Sequence, residues 1–147
     1  EYAARSPEVK LSEDQVVILA SIVEKETGKL EEQPLVASVF LNRLARGIAL
    51  ASDPTVIYGI PNFSGNLTRK DLETPTPYNS YLRPGLPPTA ISNPGLASLR
   101  AVLKPATTEY LYFVSRGDGT HEFSRTQQEH QRAVQKYQVV GRGRPGP

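Results

Sequence analysis

The chain contains no cysteine. That excludes disulfides and thiolate metal sites, and it suits an exported protein and a reducing compartment equally. Methionine is also absent, and the chain opens EYAARSPEVK, so it reads as an excised piece or a processed product. Long apolar runs are missing. The longest, Val16 to Ala20, is far too short to span a membrane, and any signal or anchor is expected outside these residues. An excess of one charge is missing too. Net charge is only +2 over 147 residues, with Lys and Arg dispersed along the chain. Neither nucleic acid nor an anionic membrane surface is therefore demanded as a partner. The pI near 8.9 reflects that small cationic surplus. No P-loop or GxSxG motif occurs, and the GxGxxG spacing is met only in the C-terminal tail GRGRPGP, with no strand signal before it. Neither His121 nor His130 has a second His or Cys at ligand spacing, so no metal site and no cofactor is expected.

What is present is a globular composition, 38% hydrophobic and 22% charged, at a length that suits one domain with a real core. The 13 prolines and 11 glycines cluster in ETPTPYNSYLRPGLPPTAISNPG and in the tail GRGRPGP. Residues 1–10 read as a lead-in, 11–140 as the folded domain and 141–147 as a disordered tail. Ser12 with Gln15 forms a capping-box pattern, and Leu11 with Val16 a hydrophobic staple. They open a helix to about Thr27, with Gly28 as its stop. A second helix follows EEQP, with Pro34 in its first turn and Leu35, Val36, Val39, Phe40 and Leu44 on one face; Gly47 closes it. SDPTVIYG predicts a short helix with Asp53 as cap and Pro54 first. LTRKDLE predicts a single turn capped by Thr68. Asn93 is expected to cap a helix from Pro94, with Leu96, Leu99, Val102 and Leu103 inward. EYLYFVSRGDGTHEFS is the clearest strand signal, two aromatic runs around an RGDG loop. Its RGD triplet reads first as a turn. Thr126 with Glu129 is a further capping box, opening a last helix to about Val139. The expectation is α+β: mainly helical with one small β-hairpin, with room for a lysozyme-like cleft.

The stretch ILASIVEKETGK holds two glutamates that the helical period separates. Leu19, Ile22 and Val23 precede Glu26 by seven, four and three positions, so Glu26 lies on their stripe. Glu24 falls beside Val17 and Ala20 and reads as a rim residue; Lys25 points away. Partial burial and the negative end of the helix dipole would both raise the Glu26 carboxyl. A carboxyl kept protonated near neutral pH can donate to a leaving oxygen. The competing reading is a solvated helix end, the commoner fate of such a residue. Asp53 similarly reads as a helix cap or as the polar edge of a cleft. In TPTPYNSYLRPG the tyrosine, asparagine and threonine side chains suit sugar recognition, rings stacking and amides bonding. They equally suit a proline-stiffened loop.

Taken together, LASIVEKETG, VASVFLNRL, SDPTVIYG, DLETPTPYNSY, GLPPTAISNPG, LKPA, YLYFV and HEFS resemble, in order, the MltG (YceG-like) endolytic lytic transglycosylases. The likeness covers about residues 16 to 137. It implies that residues 11–140 are a catalytic domain that cuts peptidoglycan glycan strands internally between N-acetylmuramic acid and N-acetylglucosamine. No water is used: the C6 hydroxyl of the muramic acid attacks its own C1 and leaves a 1,6-anhydro end. The resemblance makes Glu26, second Glu of the EKE motif, the sole acid and then base. It leaves Asp53, Thr55, Tyr78, Asn79 and Tyr81 as candidate substrate contacts. A hydrolase would need a second carboxylate, for which Asp53, Asp71 and Glu73 are candidates. The alternatives are a hydrolytic muramidase and a non-catalytic glycan-binding module. The resemblance further implies cell-wall synthases as partners. It also implies an N-terminal anchor outside this stretch, with the domain on the outer side of the bacterial cytoplasmic membrane. The tail beyond Val140 has no counterpart.

Overall fold

Ser12 opens the first helix as its capping box requires. Its hydroxyl accepts from Gln15 N, and Gln15 Oε1 accepts from Ser12 N. The helix, α1, runs Glu13–Glu26 in the computed structural model, which describes residues 2–140. A 3-10 turn at Leu30–Glu32 leads into α2, Gln33–Arg46. Gly47 ends α2 in the left-handed region at φ 70°, a conformation that glycine adopts without a Cβ clash. Two short helices follow, α3 at Asp53–Tyr58 and α4 at Arg69–Glu73, then α5 at Leu96–Leu103. Strands β1, Tyr112–Ser115, and β2, His121–Ser124, pair antiparallel with Phe113 opposite Phe123. Helix α6 spans Gln127–Val140. The fold is α+β, mainly helical around one hairpin. The tail 141–147, read as disordered, lies outside the described residues.

The core forms where α1, α2 and α5 meet. Leu19, Ile22 and Val23 of α1, Val36 of α2 and Val102 of α5 are each 0% exposed. Apolar burial of this kind is worth roughly 1.5–3 kcal/mol per side chain before entropy is counted. Phe40 sits edge-on to Phe113 at 5.8 Å between ring centres, and this contact fastens the hairpin to the helical core. The lead-in packs on the domain as well. Val9 is buried, Tyr2 donates to Leu11 O, and Ser6 N donates to Leu103 O.

Four local expectations change. Helix α1 ends one residue early, because Thr27 is already extended at φ −147°, ψ 138°. Gly28 follows that exit and does not make it. Ser52, not Asp53, precedes α3, and Asp53 is its first helical residue. Helix α5 starts at Leu96 behind Gly95, not at Pro94 behind Asn93. Leu96 is 54% exposed, because the buried residues of α5 are Ser98, Ala101, Val102 and Leu103, the first three a stripe at i, i+3 and i+4. At α6, Thr126 accepts from Glu129 N, but the return bond to Glu129 comes from Arg125 N.

Candidate active site

Glu26 ends α1 on the stripe of Leu19, Ile22 and Val23. The residue keeps some exposure to a cleft, while its carboxyl group is enclosed. Oε2 accepts a 2.6 Å hydrogen bond from Ser52 Oγ. Burial raises the carboxyl to about 7; the Ser52 bond opposes this, and the negative charge of Asp53 adds to it. Lys25, exposed on the other side of the helix, does not enter.

Glu24, two residues earlier, behaves oppositely. Its Oε1 accepts from Gly95 N and from Ser98 Oγ, both at 2.8 Å. These bonds, the Gly95 N–H foremost, hold its carboxyl below the usual range. Glu24 is therefore no idle rim residue. It supplies the anion at the start of α5, where free N–H groups and the helix dipole favour one.

The turn that presents Ser52 and Asp53 to Glu26 is built by side chains from the proline-rich stretch. Ala51 sits in the left-handed region at φ 54°, unusual for a residue with a Cβ. Its N–H donates to Ser80 O. Ser80 Oγ accepts from Ser52 N and lies 2.7 Å from Thr55 Oγ1. Thr55 Oγ1 also donates to Ser52 O. Asn79 folds the proline-rich loop, donating to Leu72 O and Thr74 O while its Oδ1 accepts from Tyr81 N. Gly59 lets that loop approach: a Cβ there would meet Thr76 Oγ1 at 2.9 Å and Tyr78 Cβ at 3.1 Å.

A cleft of about 870 Å³ opens above Glu26, within the usual size of small-ligand sites. One wall is the end of α1, α2 and the 50–53 turn; the other is β1, β2 and α6. Asp53 and Tyr81 line it with Glu26. The Tyr81 hydroxyl donates to Asp53 Oδ1 at 2.5 Å. Burial, then that bond, pushes the Tyr81 phenol up, so it stays a donor. A second hollow, about 800 Å³ between residues 107–110, β2 and α6, does not include Glu26.

Of the five expected substrate contacts, the structure brings Asp53 and Tyr81 to Glu26. It does not bring the others. Thr55 and Asn79 are 0% and 1% exposed and fully engaged in the turn. Tyr78 packs on Tyr58 at 4.9 Å and its hydroxyl meets Thr89, away from the cleft. Asp71 caps α4 through Thr68. The structure adds Ser52, Arg43, Tyr112, His121, His130 and Tyr137 to the site. Ser52 had a local signal, a hydroxyl beside Asp53 in SDPT. The others come from elements far apart in sequence, and no spacing rule joins them.

The YceG-like family matches residues 1–136. An endolytic murein transglycosylase of Bacillus subtilis (strain 168) is 38% identical over 136 residues, covering 92% of this chain and 38% of that protein. One from Streptococcus pneumoniae serotype 2 (strain D39 / NCTC 7466) is 30% identical over 133 residues, covering 86% of this chain and 24% of that protein. The crystal structure of a yceG-like protein from Listeria monocytogenes has a TM-score of 0.76 and 41% identity, covering 84% of this chain and 40% of that one. The chain thus spans well under half the length of these relatives. Its helices, hairpin and the turn that holds Glu26 lie almost wholly within the matched residues, and the chain belongs to the YceG-like family.

Proposed function

We propose that this chain is the catalytic domain of an endolytic peptidoglycan lytic transglycosylase, with Glu26 as acid and then base. The observation that carries the reading is one enclosed carboxyl, raised by burial to about 7, on the floor of the cleft. The two murein transglycosylase relatives support the substrate.

Near neutral pH a large share of Glu26 is protonated. It gives that proton to the oxygen linking N-acetylmuramic acid to N-acetylglucosamine as the C1–O bond breaks. Positive charge develops at C1, and the Asp53 carboxylate favours it. The C6 hydroxyl of the same muramic residue forms the new bond to C1. The Glu26 carboxylate takes the hydroxyl proton and returns to its starting state. No water is consumed. Ser52 holds the Glu26 carboxylate during the second half, and Tyr81 holds Asp53.

Asp53 also gives one specific reason to keep a hydrolytic reading, because a second carboxylate in the cleft could direct a water or form a covalent intermediate. Digestion of intact sacculi followed by mass analysis separates the two. The transglycosylase reading expects 1,6-anhydromuramic ends; reducing-end muramic acid would replace it with the muramidase. Glu26→Gln is expected to lose at least about a hundred-fold in rate. Full activity in that variant would remove Glu26 from the role. Glycan binding without any cleavage by wild type would leave a binding module.

On the same reading the full-length protein is anchored in the cytoplasmic membrane and works outside it, beside cell-wall synthases. No helix among the described residues is long and apolar enough to cross a membrane, so the anchor would lie in another segment. Recovery of the full-length protein in the cytosolic fraction would contradict this placement.

A further inference from the structure

Arg43 lines the cleft with no carboxylate partner among the described residues. It projects from α2 into the lining of the cleft that holds Glu26. Its fork is fixed on one side: Nε donates to Leu111 O at 2.7 Å and Nη1 to Ala49 O at 2.6 Å. The guanidinium also lies over the Tyr112 ring at 4.9 Å, and Tyr112 in turn stacks with His130 at 4.9 Å and 20°. Both neutral carbonyls and the ring orient the cation, yet none supplies a negative charge. No carboxylate pairs with Arg43 among the described residues; Glu32 pairs instead with His121.

The Nη2 nitrogen makes no hydrogen bond among the described residues. The buried side-chain atoms without a partner among the described residues are Gln33 Oε1 and His130 Nδ1, so Nη2 is reached by solvent from the cleft. Desolvation has already weakened the cationic form relative to an exposed arginine. A partly desolvated, pre-oriented guanidinium with a free donor edge is a binding group for a carboxylate, and such charge-assisted bonds are strong.

We infer that Arg43 binds a carboxylate of the substrate in the cleft that holds Glu26. This rests on the proposed glycan substrate. Two carboxylates of that polymer fit the chemistry. One is the lactyl carboxylate of muramic acid, free only where the stem peptide has been removed. The other is a carboxylate of the stem peptide itself. The first would make the domain prefer peptide-free strands, the second peptide-bearing ones.

The test is equilibrium binding to the Glu26→Gln protein, which separates recognition from cleavage. Four soluble muramyl glycans of one length serve as probes: peptide-free with the lactyl carboxylate free, peptide-free with it converted to the amide, peptide-bearing, and peptide-bearing with the peptide carboxylates amidated. Amidation of the recognised carboxylate is expected to weaken binding about ten-fold, and the pair of probes that shows the loss identifies the source. Arg43→Gln is expected to bind both members of that pair alike, and Arg43→Lys to restore part of the difference. Because the probes change the ligand and not the protein, the result does not depend on how Arg43→Gln folds. Equal binding of free and amidated forms in both pairs would overturn the inference while leaving the glycan substrate intact. Failure of all four to bind would instead count against the proposed function.

Discussion

Glu24 and Glu26 stand two positions apart on one helix and are pushed in opposite directions. Glu24 meets two donors at the start of α5; Glu26 meets apolar walls, one serine and a like charge. The consequence for stability has a definite sign. Glu26 is raised from 4.5 to about 7 in the folded chain, so between those values the native state holds the extra proton. Stability from this group is fully present below about 4.5 and is lost as pH rises through about 7, an effect on the order of 3 kcal/mol. Glu26→Gln removes the ionisation. Urea titrations should find it more stable than wild type at pH 8 by roughly 2–3 kcal/mol, with the gap closing toward pH 5. A gap that stays constant with pH would refute this account. Ser52 works the other way, since its bond lowers the carboxyl. Ser52→Ala keeps the backbone bonds of the turn and frees Glu26. Its pH–rate profile should show the alkaline limb moved to higher pH, with about a ten-fold slower rate below it; an unmoved limb would deny Ser52 this influence.

At the scale of elements, helix ends differ in how far the sequence reveals them. The Ser12 box and the Gly47 stop of α2 are local, and both form as the residues predict. The start of α5 is not local. Its N-terminal group is satisfied by Glu24, 71 residues earlier, and so a cap sought at Asn93 misses it. Glu24→Ala should cost about 1–2 kcal/mol and speed amide exchange in the first turn of α5 before the rest of the helix. Uniform exchange along α5 would show that the carboxylate does not hold that end. The turn before α3 follows the same logic. Thr55, Asn79 and Ser80 carry the polarity expected of a glycan site, but their bonds support the Ser52–Asp53 wall from behind. A polar side chain in a loop motif can touch the ligand or hold the residue that does, and composition does not tell these apart.

Across the whole molecule, the cleft exists because the hairpin and α6 close against the end of α1 and α2. Among the contacts that fix that closure are the Phe40–Phe113 edge packing, and Glu32, which accepts from His121 N and meets His121 Nδ1 at 2.7 Å. Both partners of the second pair are nearly buried, so removing one leaves the other poorly satisfied. Glu32→Ala is expected to destabilise by roughly 1–3 kcal/mol. Hydrogen exchange should rise first in β1 and β2, with the core of α1, α2 and α5 protected. Equal loosening of hairpin and core would place the pair's effect elsewhere.

The sequence by itself determined the helices, the hairpin and the position of Glu26, not Glu24, on the apolar stripe of α1. Each of these depends on period, caps and turn residues within a few positions of one another. It could also mark SDPT and PYNSY as linked to the site, though not which of their side chains would face it. Only the tertiary structure decided that Ser52 bonds Glu26, that Asp53 and Tyr81 join it while Thr55, Tyr78 and Asn79 do not, and that Arg43 faces the same space. Those relations join residues tens of positions apart. Their energies come from burial and long-range hydrogen bonds, which have no period for a sequence to display.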